Sequence, residues 1–288
     1  MSIFNYLGNI FFNNEIIYVD SFKKLVEVTD FLKFEGSIAI DTEFTWKSTY
    51  YPSLDLIQIA AKNKIFIIDS LKIEDLMPLA PILESKKIKK IFHSMKGDLS
   101  ALKTKFNINF SNIRDTQIAE FILENNSNLQ ISYKGLVSKY FLINLPKTET
   151  NSNWSKRPLE QKQINYASDD VKFLKKICQD QENHLRNKKL FNKYLEYCEN
   201  EKILSLTDFS QLRLQRLIKK NKKISNLEKN IFMWRENEAK KLNVTPNKIF
   251  NEKHLSILKS VVMNKKYDEC QWIIKDNSLR LNFLSSFK

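Results

Sequence analysis

Two carboxylates stand at i and i+2 in the segment Ile38-Ala39-Ile40-Asp41-Thr42-Glu43-Phe44, at the end of an apolar run. In an extended strand the period of two places Asp41 and Glu43 on one face. Like charges held that close repel, and a divalent cation is the simplest way to keep both ionised. Hard oxygen donors suit Mg²⁺ or Mn²⁺. Taken alone, such a pair is more often a solvated strand end than a metal site.

Two further segments shift that balance. Asp98 follows the strand-like Ile91-Phe92-His93 across the short loop Ser94-Met95-Lys96-Gly97 and is read as opening a helix, with helix capping as its plain alternative. In Tyr166-Ala167-Ser168-Asp169-Asp170, Tyr166 and Asp170 stand four apart and share a helix face. Asp41, Glu43, Asp98 and Asp170 together form the acidic set that two-metal phosphodiester hydrolysis requires, one cation serving the attacking water and the other the leaving oxygen. Tyr166 fits as the hydroxyl that orients the water, since an ordinary phenol holds its proton far above neutral pH. Asp169 and His93 read as a solvated neighbour and as a packing residue.

The elements that must carry these residues are visible as patterns. Ile16–Val19, Ser37–Phe44, Leu54–Ala61, Ile65–Asp69 and Ile91–His93 read as strands, with Lys62-Asn63-Lys64 as a hairpin turn. From Asp98 onward the period is helical, and Pro158 is read as opening a helix that runs through Tyr166 and Asp170 and continues, with a break near Asn187, towards Tyr197. Between Leu142 and Arg157 lies an irregular, exposed-looking stretch with Trp154. After about residue 205 only helical signal is found. The expectation is an α/β or α+β domain with a mixed five-stranded sheet over residues 1–205, followed by a small all-α domain over 206–288.

At this point a resemblance becomes specific. The three acidic segments, with Asp115-Thr116-Gln117-Ile118 between the second and third, resemble the DEDD superfamily of 3′→5′ exonucleases in the branch with Tyr in its third motif. Leu56-Ile57-Gln58-Ile59, Lys147-Thr148-Glu149-Thr150 and Trp154-Ser155-Lys156-Arg157-Pro158-Leu159 narrow this to the ribonuclease D family. The resemblance covers residues 36–176. It implies the ribonuclease H-like fold and two-metal removal of nucleoside 5′-monophosphates from an RNA 3′ end. It also makes Asp41, Glu43, Asp98 and Asp170 the metal ligands and Tyr166 the water-positioning residue. Thr42, Phe44, Trp154 and Arg157 are the candidate substrate contacts, although Trp154 could equally close its loop over the core. Residues 231–260 are similar to the helical HRDC domain of this family, through Trp234-Arg235, Ala239, Val244-Thr245-Pro246-Asn247-Lys248-Ile249 and Leu255. Pro146 and Asn153 depart from the family pattern, and there is room for one such helical domain.

Composition agrees with a polyanion-binding partner. The chain carries 47 basic and 33 acidic residues, net +14. Residues 201–288 hold 19 of the basic and 9 of the acidic ones, so the C-terminal third is the basic part. Such charge neutralises phosphates and releases condensed counterions. The lysines at 86, 87, 89 and 90 and the run 219–223, broken by Asn221, are candidate phosphate contacts. The expected partner is RNA with a single-stranded 3′ end, tRNA precursors above all, with no membrane and no obligate protein partner. Cys178, Cys198 and Cys270 are too few and too far apart for a disulfide framework or a zinc cluster. The N-terminal Met1-Ser2-Ile3-Phe4-Asn5 does not have the form of a secretory leader, and no stretch approaches the roughly 20 apolar residues of a membrane span. The expected location is the cytoplasm. Two other readings are a 3′→5′ DNA exonuclease, which differs in whether its pocket accepts the 2′-hydroxyl, and a non-catalytic RNA-binding scaffold. The scaffold should have lost one of the five site residues, and none is missing.

Overall fold

The computed structural model describes residues 14–126, 129–146, 149, 152–221 and 223–287. The N-terminal residues 1–5, Lys147, Thr148, Thr150 and Lys222, used above, lie outside the described residues. The chain separates into two compact units, one of residues 1–45 and 53–206 and the other of residues 46–52 and 207–288.

The first unit is built on a six-stranded mixed sheet, one strand more than the sequence pattern suggests. Its strands are β1 (Glu15–Val19), β2 (Ser37–Thr45), β3 (Ser53–Ala61), β4 (Lys64–Asp69), β5 (Lys89–Phe92) and β6 (Ile113–Asp115), in the order β1-β4-β3-β2-β5-β6. β6 escapes sequence reading because it is three residues long and buries only Ile113 and Asp115. The β3–β4 hairpin has the expected turn, with Ala61 opposite Lys64. β2 lies between an antiparallel partner, β3, and a parallel one, β5.

Helices cover both faces. On one, Ile38, Ile40, Ile57, Ile59, Phe66 and Ile68 pack with α1 (Phe22–Leu32), α2 (Ala80–Glu84), α3 (Lys96–Leu102) and later residues Tyr194 and Cys198. α1 is a further element that the strand-dominated reading of the first hundred residues passes over. Its buried Leu25, Val28, Thr29 and Leu32 follow the helical period, and Ser21 caps it by accepting from the Lys24 amide.

The opposite face presents Ala39, Leu56, Ala60, Ile65, Ile67 and Ile91 to α5 (Tyr133–Phe141), α6 (Gln161–Lys172) and α7 (Leu174–Asn187). α4 (Thr116–Leu123) is capped by Asp115, and α8 (Phe191–Leu206) closes the unit. Pro158 does not open α6. The helix starts at Gln161, where Glu160 and Gln163 form a reciprocal capping box. Ala39, Ala60 and Ala167 share one cluster, so small side chains stand where the centre of α6 meets the sheet.

The helical unit comprises α9 (Phe209–Lys220), α10 (Asn226–Lys241), α11 (Pro246–Ile249), α12 (Leu255–Met263) and α13 (Asn277–Phe287), with short 3₁₀ turns between. Its core gathers Leu217, Ile231, Phe232, Trp234, Leu258 and Phe283 around Tyr50. The connection between β2 and β3 therefore groups with helices that a boundary near residue 205 would separate from it. Tyr50 is fully buried, and its phenol donates to Glu236 Oε2 at 3.3 Å. The amides of Tyr50 and Tyr51 donate to Asn243 Oδ1 at 3.1 and 3.2 Å. Among the described residues no helix is long and apolar enough to cross a membrane.

Candidate active site

β2 sets the first pair. Ala39, Asp41 and Glu43 alternate with Ile40 and Thr42, so both carboxylates share the face of Ala39, the face covered by α6. Pairing of β2 with β5 stops at Ala39 and Ile91, whereas pairing with β3 runs on to Thr45. Beyond Ala39 one edge of β2 is therefore open, at the C-terminal end of two parallel strands, where α/β sheets hold their ligands.

α3 enters that opening from the other face of the sheet. The Thr42 amide, on that open edge of β2, donates to Asp98 Oδ1 at 3.1 Å, and the Thr42 hydroxyl donates to the same oxygen at 2.6 Å. Asp98 lies in the first turn of α3 and does not cap it, as Met95 holds the N-cap position. Its oxygen is committed to Thr42 instead. The approach of α3 is fixed by Asp115, whose carboxylate accepts from the amides of Ser94 (3.1 Å), Met95 (2.7 Å), Gln117 (2.8 Å) and Ile118 (3.2 Å). Asp115, which matches a family segment, thus positions the loop that leads to Asp98. His93 is a packing residue, as expected: its ring nitrogens meet Thr116 Oγ1 at 2.9 Å and the Ile131 carbonyl at 3.1 Å.

α6 supplies the rest. Oxygens of Asp41, Glu43 and Asp170 lie within 4.8 Å of one another. Asp98 adds its charge to both Asp41 and Glu43. Burial, reinforced by Asp98, Asp170 and Glu43, holds the Asp41 carboxyl well above the usual range. Burial and the neighbouring Asp170 and Asp98 push Glu43 up to about 9. Burial raises Asp98 to about 7 against the two Thr42 hydrogen bonds. Asp170 is also raised to about 7 by burial, opposed by the Lys134 ammonium and by a hydrogen bond from Tyr166. Carboxylates crowded until they retain protons are an incomplete arrangement: a hard divalent cation replaces those protons and removes the repulsion. This donor set fits such an ion.

The remaining candidates divide. Thr42 faces Asp98. The Phe44 ring lies against Gly97, where an added Cβ would meet it at 3.1 Å. Trp154 is 3% exposed, against the exposed-looking reading of its loop, and its ring centre is 5.9 Å from that of Tyr166. Arg157 is turned inward onto Asp69. Lys134, which the sequence reading did not single out, places Nζ 4.6 Å from the centre of the Tyr166 ring. Nothing in its own stretch, Tyr133-Lys134-Gly135-Leu136, marks it before the fold is known. Of the lysines at 86–90, Lys90 is 1% exposed, with Nζ donating to the carbonyls of Ser85 and Ile88 at 2.5 and 2.8 Å. Lys89 pairs with Glu182 at 2.6 Å. Lys90 belongs to the interior, and the half-buried Lys89 is already paired, so neither is a free phosphate contact.

A family described as 3′-5′ exonuclease matches residues 16–186, and the chain belongs to that family. Within it the likeness runs to ribonuclease D. Ribonuclease D of Desulfotalea psychrophila is 33% identical over 240 residues, covering 80% of this chain and 62% of the relative. The crystal structure of Escherichia coli RNase D, an exoribonuclease involved in structured RNA processing, has a TM-score of 0.76 at 26% identity, covering 84% of this chain and 65% of that one. The catalytic core of RRP6 from Trypanosoma brucei shares the fold, with a TM-score of 0.63 at 22% identity, covering 94% of this chain and 77% of that one. The chain spans 57–63% of the length of five curated ribonuclease D relatives.

Proposed function

We propose that this protein is a metal-dependent 3′→5′ exoribonuclease that trims RNA 3′ ends, tRNA precursors among them, and releases nucleoside 5′-monophosphates in the cytoplasm. The observation that carries the reading is the convergence of the Asp41, Glu43 and Asp170 carboxylates within 4.8 Å, with Asp98 beside them. These four residues would hold two divalent ions, Mg²⁺ or Mn²⁺. Bound there, such ions activate a water and neutralise charge on the leaving oxygen.

The chain's own groups do the positioning. Thr42 holds one oxygen of Asp98 and so fixes the direction of that carboxylate. Tyr166 donates to Asp170, and its phenol oxygen would accept from the attacking water. Phe44, whose ring lies against Gly97, is the remaining candidate substrate contact on β2, whereas Thr42 positions Asp98. Residues 1–205, apart from the 46–52 connection that groups with the helices, form the exonuclease domain, and the basic residues 206–288 form an HRDC-like domain that contributes phosphate contacts. The excess of basic residues after position 200 supports that role.

The test uses purified full-length protein with 3′-labelled and 5′-labelled RNA and matching DNA, in Mg²⁺ or EDTA. The expected result is stepwise release of mononucleotides from RNA 3′ ends in Mg²⁺ alone. Endonucleolytic fragments, hydrolysis in EDTA, or preference for DNA would each reject the reading as stated.

A further inference from the structure

Residues 152–158 belong to neither helix nor strand, yet they are fixed to the sheet by two buried carboxylates. Arg157 Nε and Nη2 donate to the two oxygens of Asp69 at 2.5 and 2.8 Å. Nη2 also reaches the Asp55 carbonyl at 3.0 Å, and Nη1 donates to the carbonyls of Trp154 at 2.6 Å and Lys156 at 2.8 Å. Asp69, fully buried at the end of β4, accepts in addition from the Tyr18 phenol and the Leu71 amide. Asp55, on the neighbouring strand and equally buried, accepts from Ser155 Oγ at 2.9 Å.

This guanidinium has no donor left for a phosphate without breaking a bond it already makes. Desolvating a charge pair is costly, and such a pair is weak evidence of stabilisation, so its presence calls for another account. That account is what the loop carries. The Arg157 fork grips the sheet at one end and the Trp154 backbone at the other. The buried Trp154 ring lies against Tyr166, with the planes tilted by 42°.

We propose that Asp69, Arg157 and Trp154 form a relay that fixes the direction of the Tyr166 phenol, so that Arg157 is a positioning residue for hydrolysis and not a substrate contact. The inference rests on the reading of Tyr166 as the water-orienting group. A hydroxyl that must point at one water gains from a neighbour that cannot move, and a planar fork locks better than a flexible ammonium.

The test is a double-mutant cycle on hydrolysis of a 3′-labelled RNA oligonucleotide, with wild type, Arg157→Lys, Tyr166→Phe and the double variant. Arg157→Lys is expected to lower kcat about tenfold with KM within about twofold. In the Tyr166→Phe background the same change should alter kcat less than about twofold, because the group being aimed is gone. Losses that multiply across the cycle, or a loss in KM alone, overturn the inference while the exonuclease reading stands. A wild type that leaves RNA 3′ ends intact overturns both. If Arg157→Lys does not fold, Trp154→Phe and Trp154→Leu replace it. Phe should keep kcat within about threefold and Leu should lose about tenfold, whereas equal losses overturn the inference.

Discussion

Thr42 donates both its amide and its hydroxyl to a single oxygen of Asp98, 56 residues further along the chain. One residue of β2 thereby orients a carboxylate that arrives from the opposite face of the sheet. Thr42→Val keeps the shape and removes one of the two bonds to a buried carboxylate, which costs about 1–3 kcal/mol. The expected result is a fall in kcat/KM of about tenfold to a hundredfold, with Thr42→Ser near wild type. Equal activity of Val and Ser would show that the hydroxyl has no part in holding Asp98.

Asp41→Asn should abolish hydrolysis and, in the metal-free protein, raise stability. Both effects share a cause: the residue removed is a prospective ligand and one of four mutually repelling carboxylates. RNA binding by gel shift should stay within a few-fold, since no basic residue changes. A metal-free variant that melts below wild type at pH 8 would contradict the repulsion argument.

Tyr166→Phe should lower the chemical rate by roughly ten- to ten-thousand-fold, the range for one positioned proton-handling group. Mn²⁺ affinity, measured by calorimetry, should change little. A large loss of affinity would move Tyr166 from orienting water to supporting the ligand set.

The raised carboxyls predict the direction of a stability change with pH. A group that holds its proton more tightly when folded stabilises the native state at low pH, and that contribution is lost as pH rises through the folded value. For Glu43 the window runs from its ordinary 4.5 to about 9. For Asp98 and Asp170 it closes at about 7. Thermal melts in EDTA should therefore fall between pH 5 and pH 9, by at least about 5 °C for a unit of this size. Saturating Mg²⁺ should flatten the curve by replacing the protons. Parallel curves with and without Mg²⁺ would count against this ligand set.

Local chemistry made much of this legible. The apolar alternation before Asp41 marks β2 and the side its carboxylates take, and the four-residue step from Tyr166 to Asp170 marks a shared helical face. The ligand candidates could thus be named before any fold was known. Partnerships across long separations could not. Arg157 and Asp69 are 88 residues apart, and either alone looks like a surface charge. Trp154 looks exposed in a polar loop because what buries it is a cluster of sheet and helix residues distant in the chain or later in it, Tyr166 of α6 among them. β6 is too short for its period to show, and Asp115 appears as a family motif without revealing that it caps a helix and ties down a loop at once.

The segment 46–52 has a consequence for how the chain is made. Tyr50 leaves the ribosome early, but the groups that receive it, Glu236 and Asn243, are 186 and 193 residues further on. Trp46, Tyr50 and Tyr51 must wait, with their aromatic partner Phe209 also unsynthesised, until most of the chain has emerged. Contacts of such separation form late and leave apolar surface open to wrong partners in the interval. A stop codon near position 205 would make that interval permanent, leaving a fragment with three orphaned aromatic rings two or more residues beyond Phe44 of β2. Removing 46–52 and joining Thr45 to Ser53 by a short polar turn is the change that would let the fragment stay in solution.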